Sequence, residues 1–303
     1  MARLSRFECD DGLQASLGDG PQNVAWVRQE LLGVDLSDKR LDRRLIKTAE
    51  LLAQSPLSSI NEACGDWAST RAAYRLFNNS KATPKAILKP HTNETVKRMT
   101  VHGGPVLVMQ DTVFISYENH PKKRGIGPIG NTNSSDMRGL IMHNALAFTT
   151  EGVALGILSQ QIWARKNVPD ETKAKKNERI KSTSLDEKES VKWLKALVDT
   201  VERTPPGVKV ITVADRESDF FEFIAEAEER HALFLIRARV DRQLVAEDSE
   251  GYASILEALG GAPLAGTLEV AIPSNGKRKS RTATVEVRTA QVTIKPPQRR
   301  GNA

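Results

Sequence analysis

Two aspartates follow short apolar runs, a position at which a carboxylate could bind a metal ion. Asp111 follows the apolar run Val106 to Met109, and Asp215 follows a second apolar run, Val208 to Ala214. Both runs are short and continuous, which predicts buried strands. Carboxylates that non-adjacent strands carry to one place are oxygen ligands suited to Mg²⁺, and two such ions can clamp a scissile phosphate. The pattern favours a phosphoryl-transfer site at the ends of these strands.

The same residues have a plainer interpretation. An aspartate after a strand is often a turn former or a helix cap, and Asp215 could cap the helix that we predict after it. Glu217 is a conceivable substitute ligand, but in a strand-end turn we expect it to point away from Asp111 and to form a salt link with Arg216 or another neighbour. The residues alone leave both interpretations open.

The elements that must position these aspartates alternate between helix and strand. Apolar residues at three- and four-residue spacing predict a helix around Leu41–Ala53, with Asp35 or Ser37 as its cap. Further helices are expected over Ser69–Phe77, from Thr83 with Pro84 in the first turn, from the capping box Ser184–Glu187 to Pro205, and over Ser218–Arg230. Further strands are expected over Ile141–Thr149, Val153–Ile162 and Leu233–Val240, and β-like alternation is expected after Gly260.

This order predicts an α/β fold, with a mixed sheet and helices packed against it. The expected organisation is a flexible arm at residues 1–25, a small helical domain at 26–100, an α/β core at 101–260 and a β segment at 261–303. Trp67, Trp163 and Trp193 are expected in the cores. We expect Cys9 and Cys64 to be reduced and structural, because two cysteines cannot form a four-ligand metal site.

Composition and charge restrict the function classes. The chain has 39% hydrophobic residues, 27% charged residues and a net charge of +6. No apolar run reaches the roughly 18 residues of a membrane helix, and no secretion signal is apparent, so we expect a cytoplasmic protein that is not in a membrane. Phosphate-cradling glycine loops, serine-hydrolase elbows and zinc-ligand spacings are absent from the sequence. A nucleic-acid partner is favoured.

Basic residues cluster at Lys39, Arg40, Arg43, Arg44 and Lys47 and again at Lys277–Arg281. Either cluster could contact backbone phosphates. The first could also be a solvated helix face, and the second an exposed hairpin tip.

Several stretches resemble the transposases of the insertion-sequence-four group, especially the transposon-five type. Val213–Glu222 is similar to the region of the second catalytic aspartate, and Gln110–Val113 to the region of the first. Similarity extends to Asp186–Trp193 and Gly139–Trp163 and to two N-terminal stretches, Asp38–Leu45 and Ala73–Arg75. The resemblance runs in the same order from about residue 26 to the end.

The resemblance implies a ribonuclease-H-like core in which Asp111 and Asp215 are the first two acids of a DDE triad. It also implies a Mg²⁺ cofactor, for which Mn²⁺ could substitute. The implied activity is cut-and-paste transposition of double-stranded DNA, acting on terminal inverted repeats and target DNA near the bacterial nucleoid. Arg44 matches a basic residue of the end-binding helices, and Arg40, Arg43 and Arg75 are candidate phosphate contacts beside it.

The sequence departs from this family at the third acid. The family motif places Arg three and Glu seven residues after a Tyr, and Tyr74, Tyr117 and Tyr252 all lack this pattern. The chain ends within what looks like the β segment inserted before that motif. The resemblance implies a homodimer, but we expect the family's dimerisation region to be absent here. We therefore expect a truncated, catalytically incomplete transposase with exposed apolar surface. The alternatives are a non-catalytic DNA-end-binding remnant, which could inhibit an intact transposase, and a nuclease unrelated to transposition.

Overall fold

The chain divides into two units, residues 1–97 and residues 98–303. The described part of the first unit is helical. The computed structural model describes residues 24–119, 122–129, 137–166, 188–276 and 278–297, so almost all of the predicted arm lies outside the described residues. The helices are α1 (Ala25–Glu30), α2 (Lys39–Gln54), α3 (Ile60–Cys64), α4 (Trp67–Phe77) and α5 (Pro84–His102), which continues into the second unit.

Side-chain caps define where these helices begin. Asp38 caps α2 by accepting a hydrogen bond from the Arg40 backbone N–H at 2.8 Å, so the predicted caps Asp35 and Ser37 are wrong by one to three residues. Asp66 caps α4 in the same way. Thr83 accepts from the N–H of Ala86 and precedes Pro84, which confirms the predicted start of α5.

The apolar stripe of α2 forms the core of the first unit. It packs with α1, α4 and the segment after α1, because residues three and four apart lie on one face of a helix. The buried members are Val27, Leu31, Val34, Leu36, Leu41, Leu45 and Leu76. Their burial leaves the charged side of α2 facing solvent.

The second unit is built on a mixed sheet of six strands: β1 (Val106–Ser116), β2 (Gly127–Pro128), β3 (Arg138–Thr149), β4 (Ala154–Trp163), β5 (Val210–Ala214) and β6 (Leu233–Ile236). Strand β1 lies between β3, antiparallel to it, and β5, parallel to it; β6 continues the parallel part, and β2 and β4 both pair with β3. The predicted mixed α/β class is confirmed.

Helix α6 (Val191–Arg203) covers one face of this sheet, and α7 (Phe221–Glu229) packs beside it. Their shared core contains Trp193, Leu197, Ala214, Phe223 and Ala227. The predicted capping box Ser184–Glu187 lies outside the described residues. Helix α6 ends before Pro205, as predicted.

Polar side chains are buried between the sheet and α6. His143 is completely buried; its Nδ1 lies 2.9 Å from the Thr112 hydroxyl, and its ring packs edge-on against Trp193. Its Nε2 lies 3.3 Å from the side-chain amide of Gln110. Burial lowers the pKa of His143 to about 4, and the positive charge of Lys192 lowers it further in the same direction. The ring is therefore neutral at physiological pH.

The opposite face of the sheet is apolar and largely open. Side chains alternate along a strand, so the residues facing away from α6 include Leu107, Met109 and Val113 of β1. The strand register places Leu146 and Phe148 of β3, Val213 of β5 and Leu233 and Leu235 of β6 on the same face. Leu235 is 64% exposed. Exposed apolar surface, expected from the sequence, is present here.

The remaining elements follow the sheet in the chain. Helix α8 (Ile255–Gly261) was not predicted. It precedes an antiparallel hairpin of β7 (Leu264–Ile272) and β8 (Arg281–Arg288), which confirms the predicted β-like alternation. Among helices in the described ranges, none is long and apolar enough to cross a membrane.

Candidate active site and nucleic-acid interface

Asp111 lies inside a strand and not at its end. Strand β1 continues to Ser116, and Asp111 pairs with Asn144 of β3. The sequence prediction ended the strand early because its buried part stops at Gln110, whereas backbone pairing continues. Asp111 is exposed and alternates onto the open face of the sheet.

Asp215 directly follows β5, as predicted from the sequence. The last parallel partner pair of β1 and β5 is Met109 and Val213, and each aspartate lies two residues beyond this pair. Neighbouring strands are separated by about 4.8 Å, so this register brings the two aspartates to the same level on adjacent segments of the sheet. Both residues are exposed. The fold thus brings together the two acids that the sequence singled out.

Asp215 also forms a local cap. Its Oδ1 accepts a hydrogen bond from the Glu217 N–H at 2.8 Å, and its carbonyl accepts one from the Ser218 hydroxyl at 2.6 Å. These bonds stabilise the 3₁₀ turn Arg216–Ser218 and orient the carboxylate. The plainer interpretation of Asp215 as a cap and its interpretation as a ligand are compatible, since a carboxylate has two oxygens.

Glu217 pairs with a residue from another element. Its Oε2 lies 3.6 Å from Nζ of Lys192, in the first turn of α6. The expected salt link of Glu217 is therefore present, but its partner is Lys192 and not Arg216. Because Lys192 is far away in the chain, spacing alone gave no signal for this pair.

A second ion pair lies beside the first. Arg165 donates to both oxygens of Glu189, from Nε at 2.7 Å and from Nη2 at 2.6 Å. Burial raises the pKa of Glu189, but the hydrogen bond and charge of Arg165 outweigh it, and the pKa lies below its usual value. Lys192 contributes in the same direction. Arg165, Glu189, Lys192 and Glu217 thus form one network of alternating charges.

No third metal ligand joins the two aspartates in the part of the chain that the structure describes. Within those ranges, His, Cys, Asp and Glu side chains form no group of three or more that could hold a metal ion. The two carboxylates are hard oxygen donors, one in strand β1 and one directly after the neighbouring strand β5, and this donor set fits Mg²⁺ better than a soft metal.

The predicted DNA-contacting arginines lie on two helices of the first unit. Arg40, Arg43 and Arg44 follow one side of α2 with Lys47, opposite to the buried stripe. Arg43 donates to the carbonyl of Lys39, and Arg75 lies exposed in the last turn of α4. Helices α2 and α4 contact each other, and Lys47 contributes to the lowered pKa of Asp66 after the hydrogen bonds from Ser69. The basic side of α2 therefore adjoins the start of α4.

The prediction that Trp67 lies in the core is wrong. Its side chain is 77% exposed, and at spacings of four and seven residues it is followed by exposed Arg71 and by Tyr74, which is 47% exposed. Thr70, Ala73 and Leu76 take the buried side of α4 instead. Helical spacing of Trp67 with Arg71 could have revealed this surface, but tryptophan was assigned to the core by residue type alone. Trp163 is partly buried and Trp193 is fully buried.

The comparison with protein families bears on this helical unit. Residues 23–82 match a family described as transposase DNA-binding. The match supports a transposase. It includes all four predicted arginines and Trp67, and it supports DNA as a binding partner of this chain. No curated protein matches the chain.

Proposed function

We propose that this protein is a transposase of the cut-and-paste DDE type, related to the insertion-sequence-four group and its transposon-five type. The observation that carries the proposal is the parallel register that sets Asp111 beside Asp215 in a chain whose residues 23–82 match a transposase DNA-binding family. The mixed sheet, in which two parallel strands extend an antiparallel part, supports a ribonuclease-H-like core. The proposed substrates are terminal inverted repeats and target DNA.

In this proposal Asp111 and Asp215 hold Mg²⁺, or Mn²⁺ as a substitute. The bound cation supplies a stabilised attacking oxygen and a stabilised leaving oxygen at the scissile phosphate. Asp215 contributes through the carboxylate that the N–H of Glu217 orients, and Asp111 contributes from strand β1, where it pairs with Asn144 of β3. Attack by water would cleave one strand at the transposon end, and the freed 3′ hydroxyl would then attack the opposite strand, which releases the donor DNA and closes a hairpin on the transposon end. Hydrolysis of this hairpin would free the 3′ hydroxyl again, and its attack on a target phosphate would join the end to a new site.

The helical unit would bind the DNA ends. Arg40, Arg43, Arg44 and Arg75 are proposed phosphate contacts, which position a duplex but carry little sequence information. Trp67, Arg71 and Tyr74 add an exposed aromatic and basic side of α4 to that interface. Neutralising one phosphate-contacting arginine should weaken binding to all duplexes and lower the salt slope by about one.

A second candidate is a DNA-end-binding protein without cleavage activity. It is favoured by the lack of a third acidic ligand beside Asp111 and Asp215 in the described ranges. Such a protein would occupy inverted repeats and compete with an active transposase for them.

One experiment separates the two candidates. A labelled duplex that carries the terminal inverted repeat of the element is incubated with the full chain in Mg²⁺ or Mn²⁺, beside Asp111→Asn, Asp215→Asn and the exposed control Asp248→Asn. A transposase should nick the duplex, each site variant should reduce nicking by about a hundredfold, and the control should preserve it. Specific binding without nicking supports the second candidate. Binding that Arg44→Gln leaves unchanged at every salt concentration would contradict the proposed interface.

A further inference from the structure

The candidate ligand Asp215 is connected to helix α6 by a buried cation. The Lys192 side chain is only 9% exposed, whereas its partner Glu217 is 62% exposed. Burying an ammonium group is costly unless a counter-charge accompanies it. Lys192 therefore holds the Glu217 carboxylate toward α6, while most of the Glu217 side chain remains exposed.

The connection continues through the backbone of Glu217. Its side chain meets Lys192 at 3.6 Å, and its N–H donates to Oδ1 of Asp215 at 2.8 Å. Displacing the Glu217 side chain would thus shift the donor that orients the Asp215 carboxylate. A path of two contacts runs from the first turn of α6 to the candidate ligand.

The Lys192 end of this path is fixed to the sheet. The Gln161 side chain in β4 donates to the carbonyl of Lys192 at 2.8 Å, and the Lys192 Nζ lies 5.6 Å from the centre of the Trp193 ring, which is itself buried. The Arg165–Glu189 pair borders the same turn of α6. Lys192 is thereby anchored to the sheet and gives the exposed Glu217 side chain a fixed partner.

We propose that Lys192 and Glu217 are positioning residues, which act as a clamp on the Asp215 turn and set the geometry with which Asp215 binds a divalent cation. The inference rests on the proposed function only for the identity of that cation site. It assigns Glu217 to orientation of Asp215 and not to metal ligation.

Electrostatics alone predicts the opposite effect for Lys192. Removing a positive charge near a cation site should strengthen cation binding. If Glu217 were itself a metal ligand, loss of Lys192 would also free its carboxylate to bind the cation. A clamp predicts weaker binding, because loss of an orienting partner around a metal site commonly costs about 10- to 100-fold in metal affinity. The sign of the change distinguishes the two roles.

The test measures Mn²⁺ affinity of the full chain by electron paramagnetic resonance, with thermal unfolding as a check on the fold. Lys192→Met and Glu217→Gln should each weaken Mn²⁺ binding about tenfold, and the double variant should be no weaker than either. Lys192→Arg should restore binding, and Lys195→Met, which removes an exposed lysine of the same helix, should have no effect. Since Glu217 is exposed, Glu217→Gln should fold even if Lys192→Met does not. Losing a negative charge weakens cation binding by itself, so for Glu217→Gln the metal-free exchange measurement decides whether the clamp exists.

Amide hydrogen exchange in the metal-free chain gives the second readout. Exchange in peptides covering residues 215–219 should accelerate in Lys192→Met and Glu217→Gln but not in Lys195→Met. Tighter Mn²⁺ binding by Lys192→Met, or unchanged exchange in these peptides, overturns the clamp. Mn²⁺ binding that Asp215→Asn leaves unchanged instead overturns the proposed metal site, and the exchange measurement then still decides whether the clamp exists.

Discussion

At the scale of single residues, burial controls what each ionisable side chain can do. His143 is neutral because water is excluded from its ring, and Asp219 remains ionised although burial opposes it. Burial raises the pKa of Asp219, but hydrogen bonds from the Arg239 N–H and the Arg242 guanidinium outweigh this effect and the pKa falls below its usual value. The second unit therefore buries His143 as a neutral base and Asp219 as an ionised acid that is paired with Arg242.

His143 should make stability depend on pH in a defined window. The unfolded chain takes up a proton near the ordinary pKa of 6.5, whereas the folded chain resists it down to about 4. The free energy of unfolding should therefore fall as pH decreases through this window, by about 2 kcal/mol between about pH 7 and about pH 5. Urea unfolding at both pH values measures it.

The variant His143→Gln isolates this contribution from those of other groups. It retains a polar side chain but cannot be protonated, so its unfolding free energy should change less over the same window. An equal pH slope in the variant and the parent chain would contradict the buried neutral state of His143.

At the scale of elements, helix caps and strand register position the candidate functional residues. The α2 cap orients the stripe of basic residues, and the parallel pairing of β1 with β5 aligns the aspartates. Neither effect needs a long-range charge, since each arises from backbone groups that must find hydrogen-bond partners.

Replacing the α2 cap tests its contribution to the first unit. Asp38→Ala removes the acceptor for the Arg40 N–H and should lower the free energy of unfolding by about 1 kcal/mol. Gln54→Ala, at the exposed last residue of α2, serves as the control and should be nearly neutral. Chemical denaturation measures both; equal effects would show that the cap contributes nothing beyond helix propensity.

At the scale of the whole molecule, the open face of the sheet dominates the expected solution behaviour. Contiguous apolar surface promotes self-association, and this face carries side chains from β1, β3, β5 and β6. The candidate ligand Asp111 lies on that same face.

The open face should bind a hydrophobic fluorescent dye in the native state. Leu235→Thr keeps a β-favouring residue while removing exposed apolar area, so dye fluorescence and aggregation should fall, with an unfolding change within about 0.5 kcal/mol. Val285→Thr on the β7–β8 hairpin is the matched control. If native dye binding is absent, or if both variants reduce it equally, the open face is not the source.

The local sequence pattern predicted most of the helices and strands. It predicted less reliably where each element ends and which of its sides is buried. The start of α5, the end of α6 and the position of Asp215 came from neighbouring residues in the chain. The length of β1 was underestimated, because the pattern follows burial whereas the strand follows pairing. Trp67 was misplaced, because residue type alone does not tell which side of a short helix packs against its neighbours.

What the sequence by itself determined was the alternation of helices and strands and the two candidate acids, since helix and strand periodicities depend on residues close together in the chain. Tertiary structure alone decided that β1 pairs in parallel with β5, that Lys192 meets Glu217 and that His143 loses contact with water. These contacts join residues far apart in the chain. Their energies arise from packing and desolvation around the completed sheet, which no short stretch of residues encodes.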